Sequence, residues 1–273
     1  MHNVCILTDN TALFSSDKFP GRDLVYTVPL DLEPFVQTQG RPDLDSNGHS
    51  RKLLPPSPQT FMRHYALLGN KYDAVLVLTL STQLLPVAEN ARQAALLHNN
   101  HISVEVIDSQ STAAGLGMLV EAAAGAASAG ASLSEVEWIV RTATGRIYML
   151  MCIPEMKHLE AFGLLTHTQS MVGEMLGMLP IMFMEEGQLV PLEKARTPRH
   201  LFETFEEFLN EFPAPARVAL MRGTSHTTTR TRPLRQYVHE NFPDTKYNEY
   251  PLNAPLSVLF GPQSIGIVVM EPA

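Results

Sequence analysis

Residues 104–130, VEVIDSQSTAAGLGMLVEAAAGAASAG, place a strand, a polar turn and a buried helix in immediate succession. Val104, Val106 and Ile107 are β-branched and stop at Asp108-Ser109, as a strand on a pleated, half-buried surface should. Ser111 or Thr112 is then placed to cap the N–H groups of the next helix. From Ala113 to Ala129 the chain is almost all Ala, Gly, Leu, Met and Val, with Glu121 its one charge, so this helix is expected to be buried on most sides. Gly115, Gly117 and Gly125 would each weaken an isolated helix by up to about 1 kcal/mol, and close approach of a neighbouring backbone is the expected compensation. A polar turn between a parallel strand's carboxyl end and a helix N-terminus is where α/β folds usually hold ligands. The same residues serve equally as a plain cap on a core helix.

Upstream, the pattern repeats. Val4 to Leu7 reads as a buried strand ending at the acidic, hydroxyl-rich turn Thr8-Asp9-Asn10-Thr11-Ala12. A second strand lies within Asp23 to Leu30, and Ala74 to Leu80 is a continuous apolar strand of the kind buried on both faces. Gln59 to Gly69 and Pro86 to His98 read as helices between these strands. Thr38 to Ser57 is polar and rich in Gly, Pro, Asp and Asn, which marks a long surface loop and a candidate lid. Alternation at this spacing predicts a parallel sheet covered on both faces, with the turns after Leu7, Leu80 and Ile107 gathered on one edge.

After about residue 146 the alternation stops, so a lobe boundary is expected there, with residues 1–146 as a parallel-sheet α/β lobe. Residues 147–273 should form a second α/β lobe with a mixed or antiparallel sheet. Ser132 begins a helix with Ser134 or Ser132 as its cap and Glu135 or Glu137 in the first turn, and Arg146 to Ile153 reads as a strand. Helices follow at Pro154 and at Thr168 to Met178. LPIMFM, a turn at Glu186-Gly187 and QLVPLEKA make a β-hairpin. Arg199 to Phe212 and Leu234 to Asn241 are expected helices, and Arg217 to Met221 and Ile265 to Met270 expected strands.

The totals narrow the function. With 273 residues, 45% of them hydrophobic, the chain can bury one large or two ordinary cores. A formal net charge of −8 argues against a nucleic-acid surface, which needs a clustered positive field. The one basic run, Arg230 to Arg235, is broken by Pro233 and reads as a solvated turn. Cys5 and Cys152 sit in apolar strand-like runs, which suits reduced thiols in a cytoplasmic protein better than a disulfide. No export signal is visible and no apolar run is long enough for stable membrane insertion.

No Walker loop, GxGxxG, HExxH, CxxC or GxSxG motif occurs, so no cofactor is implied by local spacing. His98 and His101 sit at helical spacing but lack a third ligand, and no metal is expected. Asp9 and Asp108 could meet at the sheet edge as a general acid and base, or could simply cap helix N-termini. Met149, Met151, Met156, Met171, Met175, Met178, Met182 and Met184 crowd one stretch. Their adaptable side chains suit an irregular acyl chain, and equally suit an ordinary core.

Taken together, these motifs resemble the DegV family of bacterial two-lobed proteins that bind a long-chain fatty acid. Thr8 to Ala12 is similar to the family's TDSTA, Val28-Pro29-Leu30 to its VPL strand, and Pro56-Ser57-Pro58 to the end of its TSQPSP segment. Ile107-Asp108-Ser109 through Gly115-Leu116-Gly117 resembles its IDS…GLG unit. The most specific match runs from Leu179-Pro180-Ile181 to Lys194-Ala195-Arg196-Thr197, against KPI…VPLEKxRT, and Gly261-Pro262 with Gly266 fits the terminal GPGALG. The resemblance implies an acyl chain in an internal tunnel, a carboxylate near the lobe junction and, in some members, presentation to a fatty acid kinase.

At the head-group positions this sequence departs from the family. Leu53 falls at the Thr of TSQP, Leu85 at the Ser of the second loop, Leu259 at the His before GPG, and Leu164 at the Arg of a GGR turn. Ser81 and Thr82 survive as hydroxyls, and Asn10 and the backbone near Gly261 are further candidates. A carboxylate among leucines loses roughly 1 to 3 kcal/mol for each hydrogen bond left unmade, and more for a charge. The expectation is therefore a lipid-binding, non-enzymatic protein with an altered head-group site. Docking to a fatty acid kinase is doubtful without the His. The alternative is a ligand-free scaffold whose tunnel is filled by leucines.

Overall fold

The computed structural model describes residues 3–34, 51–98, 102–224 and 231–273. The first lobe runs β1 (Val4–Asp9), a 3-10 turn (Arg22–Leu24), β2 (Val25–Val28), β3 (Asp31–Pro34), β4 (Arg51–Leu54), α1 (Pro58–Leu68), β5 (Ala74–Thr79), α2 (Val87–Leu97), β6 (Ser103–Asp108), α3 (Ala113–Ser128) and α4 (Leu133–Thr144). The rest continues with β7 (Ile147–Cys152), α5 (Lys157–Ala161), α6 (His167–Met175), β8 (Leu179–Glu185), β9 (Gln188–Ala195) and α7 (Pro198–Asn210). It ends with β10 (Arg217–Arg222), α8 (Arg232–Asn241), β11 (Lys246–Pro251), α9 (Ala254–Phe260) and β12 (Ile265–Met270).

The first sheet is parallel throughout, in the order β2-β1-β5-β6. Every residue of β1 and β5 is buried, which accounts for their unbroken apolar runs. Thr8 pairs with Leu78 and Thr79 with Asp108, so the three acidic and hydroxyl-rich turns meet on one edge as expected.

The second sheet is mixed, in the order β11-β10-β12-β7-β8-β9, with β10 and β11 parallel and the other neighbours antiparallel. Successive side chains along a strand face opposite ways, and this sheet uses both faces. Leu150, Cys152, Ile181, Val218, Leu220, Ile267 and Val269 pack with Phe205 and Phe208 of α7 and Leu234 and Val238 of α8. Met149, Met151, Met182, Met184, Ala219, Met221 and Val268 join a core shared with Ile6, Leu76, Leu116 and Leu119 of the first lobe. One apolar cluster therefore spans both sheets.

Helix α3 is buried along most of its length. A side chain at Gly117 would run into the Leu13 carbonyl, and the Leu13 N–H donates to the Ala113 carbonyl at 3.0 Å, so the turn after β1 is laid directly on the helix. At Gly115 the obstruction is the Ser111 hydroxyl. Gly125 differs from expectation, because nothing lies within 4 Å of the position its Cβ would take. No side-chain cap forms at Thr112 either; its hydroxyl donates to Thr11 at 3.2 Å, tying the β1 turn to the β6 turn. Of the candidate caps on α4, Ser132 forms a full capping box with Glu135.

Two further expectations need correction. Part of the loop from Thr38 to Ser57 is strand: β4 pairs with β3, Leu32 opposite Leu53, while residues 35–50, which carry most of the candidate lid, lie outside the described residues. The basic run is no turn from Arg232 onward, because Pro233 occupies the first turn of α8, where its missing N–H is harmless. Arg235 there donates to Glu249 at 2.7 Å. Strand β11 and helix α9 have no counterpart in the sequence reading. KYNEYP is a half-polar edge strand ending in proline, and α9 is a seven-residue helix capped by Asn253. Cys5 and Cys152 are buried and unpaired, and burial pushes both thiols up to about 12.

These contacts separate two glycines of one helix. Gly117→Ala is expected to destabilise the protein by about 1–3 kcal/mol through overpacking against backbone. Gly125→Ala should stabilise it by about 0.5–1 kcal/mol. Urea unfolding of both variants checks this, and equal effects would contradict the packing described.

Candidate functional site

The joined carboxyl ends of β1, β5 and β6 are held by two carboxylates. Asp9 accepts the Leu80 N–H at 2.7 Å on one oxygen, and the Thr11 N–H at 2.9 Å and hydroxyl at 2.6 Å on the other. Asp108 accepts the Gln110 N–H at 2.9 Å and the Thr82 N–H at 3.1 Å. Burial pushes the Asp9 carboxyl up, against the pull of its Thr11 and Leu80 donors. Both side chains thus knit the turns together, and neither caps a helix N-terminus as expected, because α2 begins only at Val87 and α3 at Ala113. Among the described residues no cluster of His, Cys, Asp or Glu could hold a metal ion, and His101 lies outside them.

Of the surviving hydroxyls, Ser81 is fully buried and donates to the Gly187 carbonyl at 2.7 Å. That carbonyl belongs to the turn between β8 and β9, so the hydroxyl joins the two lobes. Gly187 has φ of +84°, and a side chain there would run into the Ser81 hydroxyl. The residues around this contact, Gln110 and Ala113 on one side and Glu186 on the other, also take positive φ, at 52°, 52° and 47°. Left-handed backbone in residues with a Cβ costs of order 1–3 kcal/mol, so the packing around them must hold it in place.

Most of the other predicted head-group residues are engaged by or packed against the rest of the protein. The Thr82 hydroxyl is buried without a partner, as are those of Thr8 and Ser111. Asn10 accepts the Leu30 N–H at 3.0 Å through its side chain and the Asn253 amide at 2.7 Å through its carbonyl. Leu53 and Leu259 are buried in the shared core and Leu85 packs against it. Gly261 has φ of +93°, and the Glu155 and His158 side chains lie against the place its Cβ would occupy, at 2.6 and 2.9 Å. The His158 Nε2 is buried without a partner, and desolvation lowers the imidazole's pKa, with the Glu155 charge pulling the other way.

A cavity of about 560 Å³ sits in the second lobe between α5, α6 and the β8–β9 hairpin. Its floor is the buried quartet Met156, Leu159, Gly173 and Met182, with Leu164, Leu165, Met178 and Pro180 half-buried above. Thr168, Gln169, Val172, Leu192, Glu193 and Lys194 form an exposed rim. A side chain at Gly173 would strike the Met156 sulfur, so this glycine lets α6 lie close over the floor. None of Ser81, Thr82, Asn10, Gly261, Leu53, Leu85 or Leu259 lines the cavity.

Of the crowded methionines, Met156, Met178 and Met182 line the cavity, Met149, Met151 and Met184 are core, and Met171 and Met175 are 51% and 83% exposed. The rim residues of α6 and β9 were missing from the sequence reading. Their one signal is the presence of Val172 and Leu192 at positions that leave them about half exposed.

The fold is shared with known proteins. The DegV family model, which describes uncharacterised proteins, matches residues 40–272. The chain belongs to the DegV family. A DegV domain-containing protein of Caldanaerobacter subterraneus subsp. tengcongensis is 34% identical over 206 residues, or 72% of each chain. A DegV protein of Thermus thermophilus, described for its fatty acid binding, superposes with a TM-score of 0.82 at 22% identity, covering 99% of this chain and 100% of that one. The fatty acid kinase B3 protein of Streptococcus pneumoniae, solved with linoleic acid, gives 0.79 at 17% identity with both chains fully covered. These likenesses establish the DegV fold for the whole chain.

Two measurements probe the site's supports. Ser81→Ala leaves the buried Gly187 carbonyl without its donor and should cost about 1–3 kcal/mol in urea unfolding. A lowered His158 pKa means the folded state favours the neutral ring. Stability is then complete above the imidazole's ordinary value of 6.5 and declines as pH falls below it. His158→Gln should flatten that decline in unfolding curves taken from neutral to mildly acidic pH; an unchanged slope would assign it to other groups.

Proposed function

We propose that this protein binds a single-chain lipid of the long-chain fatty acid class in the cavity of its second lobe, as a carrier rather than a catalyst. The observation that carries this reading is an open volume of about 560 Å³ above a buried floor of methionine and leucine. Ligand sites are typically about 300–1,000 Å³ and largely apolar. Burying a methylene gains about 0.8 kcal/mol, so a chain of about ten offsets much of the association cost of about 4–15 kcal/mol. Methionine supports the same reading, because its unbranched side chain adapts to a flexible chain. Family membership and the fatty acids bound by the Thermus and Streptococcus neighbours agree with it.

A ligand-free scaffold is favoured by the leucines at the lobe junction and by the engaged Ser81 hydroxyl. It gives no reason for an unfilled apolar cavity one element away, so the lipid reading stands ahead. Kinase docking, for which the name of the Streptococcus neighbour is the one pointer, has less support here because Leu259 stands at the family's His position. The two unpaired buried thiols favour a cytoplasmic location. No helix among the described residues is long and apolar enough to cross a membrane.

Organic extraction of the purified protein followed by mass spectrometry should recover about one acyl lipid per chain. Met182→Trp fills the floor and should weaken uptake of a fluorescent fatty acid at least tenfold while circular dichroism stays native. The absence of both copurified lipid and saturable uptake would favour the scaffold.

A further inference from the structure

Each polar side chain that lines the cavity lies on its rim. Thr168, Gln169, Glu193 and Lys194 are exposed, while Met156, Leu159, Gly173 and Met182 at the floor offer no side-chain N–H or O–H to a charged group. The hydroxyls left unpartnered at the sheet edge, on Thr8, Thr82 and Ser111, do not line the cavity, and the Ser81 hydroxyl is engaged by Gly187. On the rim itself, Glu193 is taken up by His200 Nε2 at 3.0 Å and the Thr204 hydroxyl at 3.2 Å. Lys194 remains as the rim's cation, in no ion pair among the described residues.

An ionised carboxylate pushed to the floor would lose water and gain no donor, a penalty of several kcal/mol. At the rim it keeps much of its hydration and meets a cation. We propose that the ligand is bound head-out, with its tail on the floor and its carboxylate beside Lys194, where Thr168 and Gln169 supply neutral donors. This reverses the orientation implied by the family resemblance, in which the carboxylate lies inside at the lobe junction. The inference rests on the reading that the cavity takes an acyl chain. It names the charge of the head group and the residue that selects it.

A head-out carboxylate stays accessible to water, and orientation can be read directly. In carbon NMR of the full chain, oleate isotopically labelled at its carboxyl carbon should titrate with pH in the ordinary carboxylate range. A dissolved paramagnetic relaxation agent should broaden that signal more than the signal of a second sample labelled at the terminal methyl. Lys194→Gln should weaken oleate about two- to fivefold, the range an exposed ion pair supports, and leave methyl oleate unchanged. A carboxyl signal that does not titrate and is shielded from the agent would overturn the proposal, as would equal effects of the variant on acid and ester. Failure of both oleate and methyl oleate to bind would instead overturn the lipid reading itself.

Discussion

The molecule depends on one face of its second sheet being apolar enough to serve as the wall of the first lobe's core. Period-two alternation in β7, β8, β10 and β12 sends Met149, Met151, Met182, Met184, Ala219, Met221 and Val268 to that face and leaves Leu150, Ile181, Leu220 and Ile267 for α7 and α8. A slip of one residue in any of these strands would exchange the two sets. The lobes are therefore not two beads joined by a linker. Their shared core fixes where the β8–β9 hairpin lies, and the hairpin in turn closes both the sheet edge and the cavity.

Much of this was legible in the residues. Strands made of unbroken apolar runs, a helix with a single charge, a hairpin with Glu186-Gly187 at its turn and a capping box at Ser132 all announce themselves within a short window, and all are present. Elements defined by distant partners did not. β4 exists because Leu53 finds Leu32 across residues 35–50, and β11 because half-polar residues pair with β10 at an edge. Gly117 and Gly125 look alike in sequence, and only the path of Leu13 separates a contact from open space.

The site divides along the same line. That Asp9, Ser81, Asp108 and their neighbours would share one edge followed from strand order, since residues ending parallel strands must cluster. The position of the cavity did not follow, because a void is a property of what fails to fill it. It is bounded by Leu164 and Leu165, by α6 lying close over Met156 at Gly173 and by β9, and no residue type encodes such a gap. Pattern reading therefore finds the polar edge and misses the oily space one element away.

The sheet edge itself has a choice of partner. A serine at the end of a central parallel strand can present its hydroxyl to a ligand, or give it to another part of the same chain. Here Ser81 gives it to the Gly187 carbonyl, and the bond needs a left-handed turn without a Cβ, so serine and glycine act as a pair. With Leu53 and Leu259 buried in the same core, the junction holds itself by protein–protein contact. The neighbouring hydroxyls of Thr8, Thr82 and Ser111 have no partner to give up, but each is buried, so a charged group would have to open the edge to reach them.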